Sequence, residues 1–388
     1  MAQDKDQKTL NVPPLRFPGF TDEWKNNKVG NLFEISVAGD IDKSSISHNQ
    51  SKKYPYPIIS NSLENEGIYG YTNKYKCEAG TITVTGRGTL GIAKSRDYKY
   101  YPIVRLLSLK PCDSIDYRFA QYALNLIHYF FEVTGVPQLT APQLSSYDIR
   151  YPTLSEQQKI ARFLSLIDER IATQNKIIDN LQSLIKGLIQ HLIRVGLEKG
   201  TWHKVMLSEV LQERNEVNIE YYPVHSVSVS VGIVNQIEYL GRSFAAKDTS
   251  HYHVVRYGDI VYTKSPTGNQ PYGIIKQSFC QNPVAVSPLY GVYDPISFEI
   301  GNILHYYFLN PLNTNNYLLP LIQKGAKNTI NITNRRFLEN IIPLPISNEE
   351  IISVSKTLSS LNSKIELENR ALNTLLKERQ YLLNMLFI

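Results

Sequence analysis

Apolar residues recur at steps of three and four along two long stretches of the chain, 155–194 and 347–388. This spacing predicts two amphipathic helices, each with an apolar stripe like the seam of a coiled coil. About 40 residues at about 1.5 Å each predict helices about 60 Å long. In the first helix the seam positions are Ile160, Leu164, Ile167, Ile171, Ile178, Leu181, Ile185, Leu188 and Leu192. In the second helix they are Leu358, Leu361, Ile365, Leu372, Leu375, Leu382 and Leu386.

The two helical stretches belong to a tandem repeat. They align with each other without a gap, and the polar residues Gln174 and Glu368 interrupt the two seams at equivalent positions. The segments before the helices match in the same order, beginning at Trp24 in one half and Trp202 in the other. A duplicated order of this kind predicts two globular domains, each followed by a long helix.

Each helix has a predicted start. Pro152 and Ser155 precede the first helix, and Pro345 and Ser347 precede the second. Proline is tolerated before a helix but not inside it, and a serine hydroxyl accepts hydrogen bonds from the free N–H groups of the first turn. Both helices are therefore expected to begin at these serines.

Short β-like runs separated by turn residues dominate both globular segments, so we expect an α+β fold. Further helices are predicted at 117–132 and near 298–323. The expected domains are 1–153 and 201–346, with the first helix and its linker at 154–200 and the second helix at 347–388. If the long helices pack side by side and antiparallel, the tandem repeat acquires a pseudo-two-fold arrangement.

The composition excludes several classes of protein. A chain of 388 residues with 42% hydrophobic and 20% charged residues is neither a disordered tail nor a disulfide-stapled miniprotein. No apolar run reaches the roughly 18 residues that a membrane span needs. The scattered Cys77, Cys112 and Cys280 fit a reducing compartment, so we expect a cytoplasmic protein. The net charge of +6 permits a polyanionic partner without requiring one.

The sequence lacks the common catalytic motifs, including the phosphate-binding loop GxxxxGK[ST], HExxH, GxSxG and the Asn-Pro-Pro-aromatic motif of amino methyltransferases. The Gly86-Arg87-Gly88 run lacks the third glycine of a dinucleotide site and is interpreted as a turn. His251 and His253 could face one way on a strand, but no cysteine or carboxylate is grouped with them. We therefore predict no catalytic residue and no metal site in this chain.

Candidate DNA contacts come from glycine turns that carry cations or amides. Arginine and lysine reach guanine edges or phosphates, whereas asparagine and glutamine suit adenine. A solvated surface position is the alternative for each residue taken alone. The candidates are Arg87, Lys94 and Gln138 in the first domain and Lys264, Asn269, Lys324, Lys327, Arg335 and Arg336 in the second.

Several motifs resemble the specificity subunits of type I restriction-modification systems, a host-defence family. One is the run from Leu15 to Trp24, LRFPGFTDEW, which looks like that family's usual opening. The others are the 152–157 segment with the helix behind it, the Gly258-Asp259-Ile-Val turn and the paired long helices. The resemblance covers nearly the whole chain.

The resemblance implies a non-catalytic reader of double-stranded DNA. Two target recognition domains would each read one half of a bipartite, asymmetric site, and the helices would dock methyltransferase subunits, two by expectation. Restriction and translocase subunits would join through the assembled complex. S-adenosylmethionine, ATP and magnesium are expected on those partner subunits and not on this chain.

Two other functions stay open from the residues alone. The chain could be a coiled-coil scaffold that spaces protein partners without reading DNA, which its 26 tyrosines and modest charge would allow. A single-chain restriction nuclease would instead require magnesium-dependent cleavage by this protein alone.

Overall fold

The computed structural model describes residues 11–130, 137–242, 245–264, 267–268, 270–324 and 330–388. The chain divides into two compact units. Unit 1 comprises Met1–Thr173 together with Leu372–Ile388, and unit 2 comprises Gln174–Ala371. Each unit therefore contains one globular region and a part of each long helix.

Unit 1 is built from three sheets and the helices around them. Its strands are β1 (Lys25–Lys28), β2 (Phe33–Val37), β3 (Tyr56–Ile59), β4 (Ile68–Thr72), β5 (Thr81–Val84), β6 (Ala93–Arg96), β7 (Tyr101–Pro102), β8 (Leu107–Pro111) and β9 (Asp148–Tyr151). Its helices are α1 (Val29–Leu32), α2 (Tyr117–Asn125), α3 (Ala141–Ser145) and the first part of α4 (Leu154–Lys199). The sheets have the strand orders β1-β9, β2-β8-β5-β6 and β4-β3-β7.

Unit 2 repeats this plan with a different periphery. Its strands are β10 (Trp202–Met206), β11 (Leu211–Glu213), β12 (His225–Ser228), β13 (Gly232–Asn235), β14 (His253–Val255), β15 (Ile260–Thr263), β16 (Ile274–Gln277), β17 (Val284–Val286), β18 (Gly291–Pro295), β19 (Gln323–Lys324), β20 (Ile330–Asn331) and β21 (Ile341–Pro345). Its helices are α5 (Gln236–Leu240), α6 (Phe298–Phe308), α7 (Pro311–Leu318), α8 (Asn334–Phe337) and the first part of α9 (Asn348–Leu386).

The two units share their central topology. The sheet order β2-β8-β5-β6 in unit 1 is matched by β11-β18-β15-β16 in unit 2, and the pair β1-β9 is matched by β10-β21. In both units a helix follows the strand that is second in this sheet order. Helix α2 follows β8, and helix α6 follows β18. The predicted α+β fold with duplicated β-rich domains and two long helices is confirmed.

Helix α4 is longer than the seam indicates. It runs over 46 residues from Leu154 to Lys199, whereas the apolar pattern predicts 155–194 and places a linker from Val195 to Thr201. Gly200 has φ +72°, and the N–H of Thr201 donates to the carbonyl of Gly196 at 2.9 Å, which is a Schellman termination. The helix therefore ends where a glycine permits the left-handed turn and not where the seam stops.

The predicted caps have different outcomes in the two helices. At α9 the Glu350 N–H donates to the Ser347 hydroxyl at 3.1 Å, so Ser347 caps the helix as expected. At α4 the helix already includes Leu154 and Ser155, and the carbonyl of Thr153 accepts the N–H groups of the first turn. The prediction for Ser155 is wrong. The helix already begins at Leu154, so Thr153 and not Ser155 is the residue that precedes its first turn.

Within unit 1 the beginning of α4 and the end of α9 complete the hydrophobic core. Leu164 is fully buried in the same cluster as Leu383 and Leu386. Asp168 and Arg379 form an ion pair at 2.5 Å, so the two segments run antiparallel. The core also includes a T-shaped and stacked aromatic group. This group consists of Trp24, Phe119 and Phe387, with ring centroids 5.2–6.1 Å apart.

Within unit 2 a polar contact joins the two helices. Gln174 donates to the backbone carbonyl of Glu368 at 3.1 Å and also bonds to its carboxylate. Lys364 pairs with the same carboxylate at 2.6 Å. Trp202, just beyond α4, donates from its indole N–H to Glu350 near the start of α9 at 2.7 Å. The two helix segments are therefore antiparallel in this unit as well.

The sixteen seam positions are all buried or half-buried. The fully or almost fully buried ones are Ile160, Leu164, Ile178, Ile185, Leu358, Ile365 and Leu386. Ile167, Ile171, Leu181, Leu188, Leu192, Leu361, Leu372, Leu375 and Leu382 are half-buried. The exposed positions of the same helices include Leu166 and Leu184.

The N-terminal motif is held by the first turn of α4. The guanidinium of Arg16 makes a bidentate ion pair with Glu156 at 2.7 and 2.8 Å, and that carboxylate is fully buried. The neighbouring Gln157 bonds to Asp116 N–H, Ser114 O and Pro152 O, which fixes the turn before α2. The 152–157 segment therefore ties the helix to its own globular region.

The glycine turn of unit 2 is held by a buried carboxylate. Asp259 is 1% exposed and accepts two hydrogen bonds from Arg214 at 2.8 and 2.9 Å. It also accepts the backbone N–H of Arg256 at 2.8 Å, while Gly258 adopts φ +93°. Burial raises the pKa of Asp259, and the Arg214 guanidinium opposes that shift. The motif orients the start of β15.

The two predicted helices inside the globular regions are shorter than expected. The helix predicted at 117–132 ends at Asn125, because the Asn125 side chain bonds to both backbone groups of Ala93 at 2.8 and 2.9 Å. Residues 131–132 lie outside the described part of the chain. The helix predicted near 298–323 is divided into α6 and α7, because Asn310 caps a new helix that starts at Pro311.

We expect a charge at a buried seam position to destabilise unit 1. Leu164→Asp places an unpaired carboxylate where the side chain is fully buried, which should lower the free energy of unfolding by about 3 kcal/mol or more. Leu166→Asp on the same helix, where the side chain is 54% exposed, should change it by about 0.5 kcal/mol at most. Thermal and denaturant unfolding measure both. Equal effects of the two variants would contradict the helix pairing.

Candidate nucleic-acid interface

In unit 1 three loops meet at Gly86, in the turn between β5 and β6. The side-chain oxygen of Asn61 accepts the N–H groups of Gly86 and Arg87 at 2.8 and 3.3 Å. The carbonyl of Gly86 accepts the N–H of Leu139 at 3.0 Å. A Cβ at Gly86 would lie 2.8 Å from the carbonyl oxygen of Arg105 and 3.1 Å from that of Leu139. Only glycine allows these backbones to approach so closely.

Two of the predicted contacts of the first domain are brought together by this arrangement. Arg87 follows Gly86 and Gln138 precedes Leu139, and both side chains are exposed. Lys94 lies further along β6, where its ammonium group pairs with Glu66 at 3.1 Å. Glu66 belongs to the same 60–67 segment as Asn61, so this segment contacts both the β5–β6 turn and strand β6.

Asn61 was not predicted from the sequence. Its Oδ1 accepts two N–H groups of the glycine turn, and its Nδ2 donates to the carbonyl of Val104 at 2.6 Å. Nothing in the local sequence distinguishes Asn61 from any other turn asparagine. Its importance depends on contacts with residues 25 to 43 positions away in the chain.

Unit 1 also carries a surface where lysines lie over tyrosine rings. The ammonium group of Lys99 lies 4.3 Å from the Tyr75 ring centroid, and that of Lys76 lies 4.6 Å from the Tyr101 ring. Tyr56 packs against Tyr75 at 4.9 Å. Lys99 also pairs with Glu78 at 3.0 Å, and its hydrogen bonds to Tyr75 and Glu78 raise its pKa.

In unit 2 Lys264 occupies the turn between β15 and β16, the counterpart of the Gly86 turn. Its side chain is half-buried, and burial lowers its pKa, while the nearby Glu213 carboxylate acts in the opposite direction. Glu213 in turn accepts a hydrogen bond from Asn334 at 2.7 Å. Lys264 and the start of α8 therefore flank one carboxylate.

Helix α8 carries Arg335 and Arg336. Phe337 stacks on Tyr262 and Tyr293 with centroid distances of 4.7 Å, which holds the helix against β15 and β18. Arg335 is 92% exposed and lies 3.7 Å from Glu339, and Arg336 pairs with the same carboxylate at 2.7 Å. The cations are thus on the surface beside the β15–β16 turn.

Three predicted contacts cannot be placed. Asn269 and Lys327 lie outside the residues that the structure describes. Lys324 lies in β19, where its backbone pairs with Ile330, but its side chain is also outside the described part.

The two histidines take part in local contacts. The His253 ring nitrogen is 3.1 Å from the Tyr290 carbonyl, and the His251 ring packs edge-on against Tyr252. Over the described residues no group of three or more histidine, cysteine or acidic side chains could hold a metal ion. No helix in this described part is long and apolar enough to cross a membrane.

Known proteins with a similar sequence include type I specificity subunits. The model of the type I restriction modification DNA specificity domain matches residues 21–183. A type I specificity subunit of Mycoplasma pneumoniae, S.MpnORF89P, is 32% identical over 150 residues, which are 39% of this chain and 45% of that protein. A second one, S.MpnORF507P, is 30% identical over 154 residues, 40% of this chain and 42% of the relative.

Residues 21–183 therefore match a type I restriction modification DNA specificity domain. The matched part spans less than half the length of these two relatives. The crystal structure of the S subunit from M. genitalium covers 97% of this chain and 99% of its own with a TM-score of 0.65. At 16% identity this similarity concerns the fold, which is that of a specificity subunit over almost the whole chain.

A methyl group at the loop junction should loosen it. In Gly86→Ala the added carbon would meet two carbonyl oxygens, and overpacking of about 1–3 kcal/mol should raise hydrogen exchange at the Leu139 amide by about 10-fold or more. Gly39→Ala is the matched control, because a Cβ there meets no atom within 4 Å. Exchange mass spectrometry of both variants measures the effect. An unchanged Leu139 amide in Gly86→Ala would contradict the junction.

Proposed function

We propose that this chain is the non-catalytic DNA reader of a type I restriction-modification complex. Each β-rich domain reads one half of a bipartite site on double-stranded DNA. The recognition domains are 1–153 and 201–346, and each is followed by a helical segment, 154–200 and 347–388. A cytoplasmic location follows from this role, because the DNA that the complex modifies is there.

The observation that carries the proposal is the position of the candidate contacts in the two units. Both units place a cation-bearing turn between the third and fourth strands of the same four-stranded sheet, with Arg87 in one and Lys264 in the other. A second segment with polar or cationic side chains lies next to each turn, at Gln138 and at Arg335–Arg336. Arginine, lysine and amide side chains at least partly accessible on turns are groups that contact bases and phosphates.

The half-sites should differ in sequence. The unit 1 junction presents Arg87 and Gln138, whereas the corresponding surface of unit 2 presents Lys264 and the arginines of α8. Because different side chains form different hydrogen-bond patterns with base edges, two unlike surfaces favour an asymmetric target.

The helices are proposed to dock two methyltransferase subunits and to set the spacing of the half-sites, with the sixteen seam residues holding them together. One partly exposed aromatic cluster on unit 1 supports docking. Phe17 of the N-terminal motif packs edge-on against Phe163 of α4 at 5.7 Å, and Lys159 lies over Phe17 and Phe20. S-adenosylmethionine, ATP and magnesium act on the partner subunits, including the restriction subunits that join the assembled complex.

We expect the full chain with a methyltransferase partner to enrich a split motif from randomised duplexes. Phosphate contacts release counterions, so affinity should fall by about 10-fold or more between 50 and 200 mM salt. Selection and sequencing of bound DNA at both salt concentrations measure these effects. Binding of the partner without any enriched motif would favour a protein scaffold, and magnesium-dependent cleavage by the chain alone would favour a nuclease.

Shortening both helices should shorten the gap in the motif. Deleting 175–181 from α4 and 361–367 from α9 removes one heptad from each helix beside the Gln174–Glu368 contact. Seven residues at about 1.5 Å correspond to about three base pairs at about 3.4 Å each. Motif selection with the doubly shortened chain measures the gap. The deletion in α4 alone is the control that should impair folding, and an unchanged gap in the double variant would exclude the spacing role.

A further inference from the structure

The turn between β7 and β8 in unit 1 has an unusual backbone. Val104 and Arg105 both have positive φ, +56° and +57°, although neither is glycine. A β-branched residue such as valine rarely adopts this conformation, and such strain in folded proteins tends to accompany functional sites. The sequence gives no turn signal of the usual Asn-Gly kind here.

Contacts on three sides hold this turn in place. The N–H of Val104 donates to Gly39 O and the N–H of Arg105 donates to Ala38 O, each at 3.1 Å. The Asn61 amide donates to the carbonyl of Val104 at 2.6 Å. The backbone that carries Arg105 is thus oriented before any ligand binds.

The same turn lies directly against the glycine turn of the β5–β6 hairpin. The carbonyl of Arg105 lies so close to Gly86 that a Cβ there would be 2.8 Å from it, and Asn61 bonds to both turns. The side chains of Arg87 and Arg105 are exposed. In the described part of the chain neither guanidinium forms an ion pair, whereas Lys94 and Arg118 do.

We propose that Arg105 is a specificity-determining residue that reads a guanine in the half-site of unit 1, and that Asn61 positions it. This inference rests on the proposed function. A guanidinium donates two parallel hydrogen bonds to O6 and N7 of guanine in the major groove, and no other base edge accepts both. A pre-oriented backbone suits this geometry, because bidentate recognition requires a fixed direction of approach.

A phosphate contact is the competing role for an exposed arginine, and Arg105→Lys separates the two. Lysine keeps the charge for a phosphate but cannot make the bidentate pair. If Arg105 reads guanine, both Arg105→Lys and Arg105→Ala lose the preference for one guanine. The loss of a bidentate pair should lower discrimination at that position by about 5- to 150-fold.

The experiment uses the full chain with its methyltransferase partner and selects binding sites from randomised duplexes. Wild type should enrich a motif with a guanine in one half. Arg105→Ala and Arg105→Lys should lose preference at that base only, with the other half-site and the melting temperature unchanged. Arg150→Ala is the matched control, an exposed arginine on β9. Asn61→Ala should weaken the preference at the same base.

The outcomes are distinguishable. If wild type enriches a split motif but both Arg105 variants enrich the same motif, Arg105 does not read a base and this inference is overturned while the proposed function stands. A uniform loss of affinity in Arg105→Ala that Arg105→Lys restores would identify a phosphate contact and also overturn it. If wild type enriches no motif, the proposed function fails, and the inference fails with it.

Discussion

The structure depends on the packing of α4 and α9, because both helices complete the core of unit 1 and a hydrogen bond ties α9 to the globular region of unit 2. In unit 1 the last turns of α9 bring Leu386 and Phe387 against Trp24 and Phe119, so the first domain is closed by residues from the far end of the sequence. In unit 2 the start of α9 holds Trp202 through Glu350. A change in the pairing of the helices therefore changes the core of unit 1 and the attachment of Trp202 in unit 2.

Polar contacts interrupt the apolar seam at defined places. Asp168 and Arg379 pair in unit 1, where Tyr122 also donates to Asp168 at 2.8 Å, and Gln174 bonds to Glu368 in unit 2. An apolar seam alone tolerates shifts in register, whereas a partly buried polar pair is satisfied in one register only. These contacts explain why the repeat retains a polar residue at the equivalent positions 174 and 368.

The repeat, the fold class and the long helices could be predicted because they depend on periodic patterns that a single sequence displays. The same patterns could not give the limits of the elements. Helix α4 continues past its seam to the Gly200 turn, and the helix predicted at 117–132 stops at Asn125 because that side chain bonds to a strand. The end of α2 is determined by tertiary hydrogen bonds, whereas α4 ends at a local glycine turn that the apolar seam does not indicate.

The candidate site was predictable only in part for a similar reason. Arg87 and Gln138 stand beside recognisable turn residues, and the structure places them at one loop junction. Asn61 and Arg105 carry no local signal, since one acts through contacts far along the chain and the other through a strained turn without glycine. Lys94, by contrast, has a suitable sequence context but pairs with Glu66 on the same domain.

We propose that two unlike domains on paired helices direct a methyltransferase to one split DNA sequence. This proposal is tested most directly by sequencing modified bases across the genome of a host that carries this chain with its partner subunits, and of the same host without the chain. Methylation of a single bipartite, asymmetric motif is expected only when the chain is present. Methylation that is identical in the two hosts, or that shows no split motif, would contradict it.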